Sequence, residues 1–506
     1  MPGLLPEATS NVVATFDTPT MGTLSTLAIH KVPQNALYDS LNVFIREGKL
    51  RSRPGQVRFT TTNFAEPILC ARTAVTPLER IVLAISKTRL YELSENDTVW
   101  SNPVSGVTFA PYDTSVIDMA FLEVSNTYVG IIASEGLPLR AWNSVFHTAN
   151  LVTATLGTVP LAKSVCIAAR RAIYLVSPHT VQWSNVFQYN AFDPLAIYKI
   201  AQTNDKGICV RTLSNLSFVL YKERSIYTAR AQSGPNETAF AFAEPIRVDG
   251  PAGINAVVDV SGVHMYMTRN GRVGIFDGTR YPQWVADGLW LFLQNDIDPL
   301  YAHRIHGTYD YRLHCVVFYY PKVNDNGIMK GMLIVNMPFE GTDVQGSPIA
   351  SFKGMSTLAV TASTDMLFAN QVDRSLVFVT EPFDNKSCVL DENTTFDDDE
   401  PYNCMLQTGM VGMPQGKYTQ VTTETFVERE YGHGSVYIQP VTSNTLSEVA
   451  GHTDDIDKRP ISLEEDPLRQ NVAFNTPVRF FGLKYSWSSD NVVRYAGGVV
   501  YGIGKV

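Results

Sequence analysis

The run Arg80-Ile-Val-Leu-Ala-Ile-Ser86, followed by Arg89-Leu-Tyr-Glu-Leu-Ser94, decides how this chain reads. Both runs are short and apolar, and Lys87-Thr88 breaks them. That is the pattern of two antiparallel strands joined by a tight turn. Similar runs return downstream: Thr127-Tyr-Val-Gly-Ile-Ile-Ala133, Ala172-Ile-Tyr-Leu-Val176, Leu216-Ser-Phe-Val-Leu-Tyr221, Val263-His-Met-Tyr-Met-Thr268, Cys315-Val-Val-Phe-Tyr-Tyr320 and Ser375-Leu-Val-Phe-Val-Thr380. They recur at roughly 40–50 residues, the period of a four-stranded propeller blade. The expected fold is all-β: a β-propeller of about seven blades with an additional β-sandwich-like platform domain. A set of unrelated β-sandwiches is the competing reading of the same spacing.

Turn chemistry supports hairpins. Asn270-Gly271 sits between apolar runs, and Asp277-Gly278-Thr279 follows it. Helix is scarce, with short candidates at 286–294 and 35–46. From 385 to 404 the chain turns polar and acidic, which predicts a linker or loop. Beyond it Phe481, Leu483, Tyr485 and Trp487 alternate with small or polar residues, the period of a half-buried strand. Residues 418–430 read as another strand, and an acidic loop spans 451–471. The expected division is an arm and platform segment at 1–55, the propeller at 56–384, the acidic linker at 385–404 and a C-terminal β domain at 405–506.

Of the 506 residues, 45% are hydrophobic and 18% charged, which suits a chain with a large core. The formal charge is −9 with no long basic stretch, so tight phosphate binding is not expected. The six cysteines are scattered without a CxxC pair and read as reduced core residues. The N-terminus has no signal-peptide pattern, and no apolar run reaches membrane-span length.

Signatures of catalysis are missing: no GxSxG, no HExxH and no Gly-rich phosphate loop. His303, His306 and His314 lie close in sequence but read as strand and turn residues rather than zinc ligands. Ser94-Glu-Asn-Asp97-Thr-Val-Trp100 resembles the Asp-box of sialidases but lacks its glycine. No enzymatic activity, metal or cofactor is expected.

The most distinctive stretch is Gly48-Lys49-Leu50-Arg51-Ser52-Arg53-Pro54-Gly55. Arg46, Arg51 and Arg53 are candidates to clamp carboxylates of a neighbouring domain or subunit, because a guanidinium binds a carboxylate bidentately. The bland alternative is a surface hairpin with solvated arginines. The stretch resembles the Gly-x-Leu-Arg-x-x-Pro-Gly run of the tail nozzle or hub proteins (packaged-DNA stabilisation proteins) of short-tailed phages. Three further segments, 89–100, 172–183 and 309–320, are similar to successive propeller hairpins of that family.

The resemblance implies a structural component of a virion, at the distal tail, made in the host cytoplasm. It implies a homo-hexamer that contacts a tail adaptor or tube protein and a fibre, spike or needle. Double-stranded DNA would pass through transiently during genome ejection without tight binding. Six copies at −9 would carry about −54, which suits a channel that repels phosphate. Candidate channel-facing acidic residues are Asp397, Asp398, Asp399 and Glu400, with Asp454, Asp455 and Asp457 in the second acidic loop. Solvated loops are the simpler reading of both runs. The alternative function is a carbohydrate-binding or carbohydrate-cleaving propeller, a host-surface adhesin.

Overall fold

A computed structural model describes residues 11–503 apart from 47, 77–78, 114, 126, 177, 233–238, 338–348, 367–373, 382–383, 395, 413–419, 433–435, 444–458, 462–469, 475–479 and 489–490. The described residues form a seven-bladed β-propeller and a β-sandwich platform.

Five blades are separate four-stranded antiparallel meanders, with innermost strands Cys70–Val75, Ile117–Val124, Ala162–Ala168, Gly207–Ser214 and Val257–Val260. The runs that decide the sequence reading are the second and third strands of the first blade, in register from Ile81↔Ser94 to Ile85↔Leu90. Alternation within each strand sends one set of side chains against each neighbouring blade. Leu83 and Ile85 pack with Ile117 and Met119, whereas Val82 and Ala84 pack with Leu376 and Phe378. The expected turns are present. Gly271 (φ 77°) and Gly278 (φ 84°) occupy the left-handed region, where a side chain would be strained.

The sixth and seventh blades share a strand. Ala350–Met366 runs for 17 residues. Its first part pairs with Met329–Asn336 as the outer strand of blade six. Its second part pairs with Arg374–Glu381 and packs on Cys70–Val75 as the inner strand of blade seven. Blade seven ends on Gly55–Arg58, which pairs with Asp384–Asp391. A strand from before the first blade therefore closes the ring.

The platform is built from both ends of the chain. One sheet orders Val43–Arg46, Lys49–Ser52, Asn491–Ile503, Gln420–Gly432 and Gln470–Phe474, with Asn11–Phe16 beside Asn491–Ile503. The other orders Leu37–Leu41, Asn403–Thr408, Phe480–Ser488, Val436–Ser443 and Arg459–Ile461. Phe481, Leu483, Tyr485 and Trp487 all point inward, as their alternation predicts. Tyr485 meets Tyr495 of the facing sheet at 5.2 Å between ring centroids. The same apolar cluster runs on through Cys315, Val317 and Tyr319 of blade six and Val377 and Val379 of blade seven. Platform and propeller share one core.

Three sequence expectations are corrected. Residues 35–46 form the strands Leu37–Leu41 and Val43–Arg46 rather than a helix, with Asn42 at φ 55° between them. The propeller does not stop at 384, and 385–404 is no linker, because Asp384–Asp391 is the third strand of blade seven. Lys386 and Ser387 of this strand are buried with partners: Lys386 pairs with Asp398, and Ser387 Oγ accepts the Trp100 indole N–H at 3.2 Å. Residues 405–506 are not a separate β domain, since strands from the 1–55 platform segment belong to both of its sheets. The helix expected at 286–294 is a short 3-10 turn, Asp287–Leu289, running into the helix Trp290–Asp296. Among the described residues no helix is long and apolar enough to cross a membrane. All six cysteines are buried and free.

Candidate functional site

Three places combine charge with burial: the joint between platform and propeller, the propeller axis, and a cavity at the mouth of that axis.

At the joint the three candidate arginines of the N-terminal segment reach the chain that leaves blade seven. Arg53 donates to both carboxylate oxygens of Asp397, at 2.9 and 2.5 Å, and neither side chain has any solvent exposure. Asp397 also accepts the backbone N–H groups of Gln56 and Thr357. The Tyr402 ring lies 3.8 Å under the Arg53 guanidinium. Burial alone would lower the Arg53 pKa, but Asp397 and Tyr402 together hold it above its ordinary value. Arg46 pairs with Glu392 at 3.4 Å and donates to the Arg312 carbonyl. Arg51 donates to the Glu392 backbone carbonyl.

These contacts correct the reading of the first acidic run. Asp397 is sealed in the joint and faces no channel. Asp398 (φ 49°) and Asp399 (φ 72°) form the two-residue turn of a small hairpin, Phe396–Asp397 with Glu400–Pro401. Short polar residues tolerate that left-handed geometry. Asp398 is tied to Lys386, while Asp399 and Glu400 are exposed. Asp454, Asp455 and Asp457 lie outside the described residues.

The axis holds charges that nothing in the sequence brings together. Asp118 on the second inner strand accepts Arg211 of the fourth at 3.0 and 2.8 Å, and Ser164 of the third at 2.5 Å. Arg211 also donates to the Ile254 carbonyl at 2.6 Å. Arg72 of the first blade donates to Asn255, whose amide meets His306 Nε2 at 3.3 Å. Burial pushes His306 down to about 3, helped by Arg72 and Arg304, and pushes His264 down to about 4. Both are neutral at pH 7. These groups form a polar waist across the propeller. A cavity of about 350 Å³ lies below it, lined by residues of all seven inner strands. Among the described residues no group of three or more His, Cys, Asp or Glu side chains converges.

Above the waist, where the inner strands begin, a cavity of about 780 Å³ opens across blades two to five, with His303 also on its wall. Its walls carry Lys163 of the third inner strand, Lys206, Arg224 and Arg269. Glu135, Glu223 and Asp249 stand among them, and Tyr112 lies at the rim, 70% exposed. Lys163 is half-buried and makes no hydrogen bond or ion pair among the described residues. Burial lowers its pKa, and Glu135 and Glu223 oppose this from a distance. The wall at 249–254 is fixed in place. A Cβ on Gly250 would lie 1.9 Å from the Lys222 carbonyl oxygen, and one on Gly253 would lie 2.1 Å from that of His303.

Sequence reasoning missed the axis and this cavity. The available signal was a charged residue inside an apolar inner strand, as at Asp118, Lys163 and Arg211. Its partner strand is not legible without the ring.

No family model matches the chain. No curated protein matches it either. Among solved structures it is similar to the WD40 repeats of RRP9, at 12% identity and TM-score 0.43, over 67% of this chain and 99% of that one. It is similar to U3-55K at 11% identity and TM-score 0.42, over 67% and 99% of the two chains. It is also similar to Raptor of Chaetomium thermophilum at 9% identity and TM-score 0.44, over 67% of this chain but only 28% of that one. The propeller itself is read from the order and register of its own sheets.

Proposed function

We propose that this protein is a non-enzymatic wall segment of a phage tail, a nozzle or hub subunit that closes the distal tail and forms the DNA-exit channel with copies of itself. The observation that carries the reading is the joint. The segment 48–55, which resembles the nozzle family, is the part of the chain that joins platform to propeller, and Arg53 anchors it to Asp397. A wall subunit under genome pressure needs such a rigid body, and a shared core with a buried ion pair supplies one. The other similar segments coincide with hairpins of the first, third and sixth blades. Glu92 of the first of these binds Trp142 and His147, a packing contact between blades one and two.

The polar waist supports the same reading. Arg211, Asp118, Arg72 and Asn255 fill the propeller axis, so a duplex cannot thread a single subunit. DNA would pass between subunits, along an inner face of net negative charge. Immunogold labelling of particles with antibody to this chain tests the proposal. Label confined to the distal tail tip supports it; virions that never carry label contradict it.

A further inference from the structure

The cavity of about 780 Å³ at the upper mouth of the axis is within the size range of small-ligand sites. Its chemistry narrows the ligand. Lys163 is a half-buried ammonium without a direct partner among the described residues. A buried cation in that state gains strongly from an anion brought to it. Lys206 and Arg224 stand on the same wall and are exposed, and neither has a side-chain partner among the described residues.

The carboxylates limit how much negative charge can enter. Glu135, Glu223 and Asp249 would repel a polyanion such as nucleic acid or an oligo-acidic peptide. They can instead accept hydrogen bonds from hydroxyl groups. Tyr112 adds an exposed ring face at the rim. The glycine-locked wall at 249–254 keeps the cavity open in advance of binding. One anion-seeking amine, several hydroxyl acceptors and an aromatic platform match a hydroxyl-rich ligand that carries an isolated carboxylate.

We infer that this cavity is a binding site for a carboxylated saccharide, a uronic-acid-type sugar unit, with Lys163 taking the carboxylate and Glu135, Glu223 and Asp249 taking ring hydroxyls. The inference does not rest on the tail reading, and either can fail alone.

Isothermal titration of the full chain with cellobiouronate, a disaccharide with a single carboxylate, tests it, with neutral cellobiose and a triglutamate peptide as comparison ligands. Cellobiouronate is expected to bind, and Lys163→Met to weaken it by about tenfold or more, the loss of a charge-assisted contact. Lys163→Arg is expected to keep most of the affinity. Arg224→Gln, at an exposed position, gives a second weakened variant if Lys163→Met does not fold. No binding of cellobiouronate at millimolar concentration would overturn the assignment. So would equal affinity in Lys163→Met or, if that variant does not fold, in Arg224→Gln. Cellobiose or triglutamate binding as tightly as cellobiouronate would overturn it as well.

Discussion

Arg53 and Asp397 lie 344 residues apart and meet through two N–H donors of one guanidinium, at 2.9 and 2.5 Å, with no exposure of either side chain. The pair sits where the chain enters the propeller and where it leaves. Gly55–Arg58 begins two residues after Arg53 and closes blade seven. Asp397 pairs with Gln56 of that closing strand. Ring closure and platform attachment thus depend on the same few residues.

Removing one partner leaves an uncompensated charge in the core. Arg53→Met is expected to cost about 3–5 kcal/mol of unfolding free energy. Asp397→Asn should cost a similar amount, because Arg53 then keeps its charge without a counter-ion. In urea denaturation the double variant should lose clearly less than the sum of the singles. Additive losses would mean that the pair is not a unit.

Gly55 reports on closure by sterics alone. A Cβ there would lie 2.3 Å from the Phe396 carbonyl oxygen, a backbone atom that cannot swing aside. Gly55→Ala is expected to lower stability by about 2 kcal/mol or more, as forced strain at a packed site does. The loss should appear first as increased hydrogen exchange in Asp384–Asp391, its neighbour in the sheet. Unchanged exchange there would contradict the closure role.

The waist should make the propeller acid-sensitive. His306 titrates near 6.5 when unfolded and near 3 in the fold, where burial and Arg72 and Arg304 disfavour its charge. Its contribution is therefore present above about pH 6.5 and is lost as pH falls toward 3, at roughly 1.4 kcal/mol per pH unit between them. His264, near 4 in the fold, acts in the same direction. Other groups facing the waist are Arg72, Arg211, Asp118, Asp259 and Asp365. His306→Gln should flatten the fall of stability between pH 6.5 and 4.5 by about one proton. Parallel curves for the two proteins would refute this.

Asp118 and Arg211 hold the second, third and fourth blades together across the axis. Asp118→Asn is expected to destabilise by about 3 kcal/mol or more, since Arg211 would remain charged and buried. Thermal unfolding at neutral pH checks it. A loss below about 1 kcal/mol would show that water or another group takes over from the carboxylate.

Much of the propeller is legible in the sequence, because each blade contains an apolar strand pair with a polar turn. The platform strand with Phe481 and Trp487 is legible for the same reason, strict alternation. Asp384–Asp391 was not. Asn385, Lys386 and Ser387 look like linker residues, and partners on other segments, among them Asp398, Trp100 and Phe64, make them strand-compatible. Nor does composition reveal that Ala350–Met366 belongs to two blades. The arginines of the N-terminal segment stand out from their own residue types, but the acidic run was misread at Asp397. A carboxylate's burial depends on which guanidinium folds against it, and here that partner comes from the other end of the chain. Lys163 and Asp118 belong to the same class, since their meaning comes from strands that meet only in the closed ring.

The role we propose for this chain is that of a repeated wall segment around a DNA exit. Cryo-electron microscopy of intact virions, reconstructed along the tail axis, tests it most directly. The expected result is a ring of six copies at the distal tail, each an intact propeller with its platform, around a channel that lies between subunits. Finding the protein as a single peripheral copy, or absent from the particle, would contradict the account.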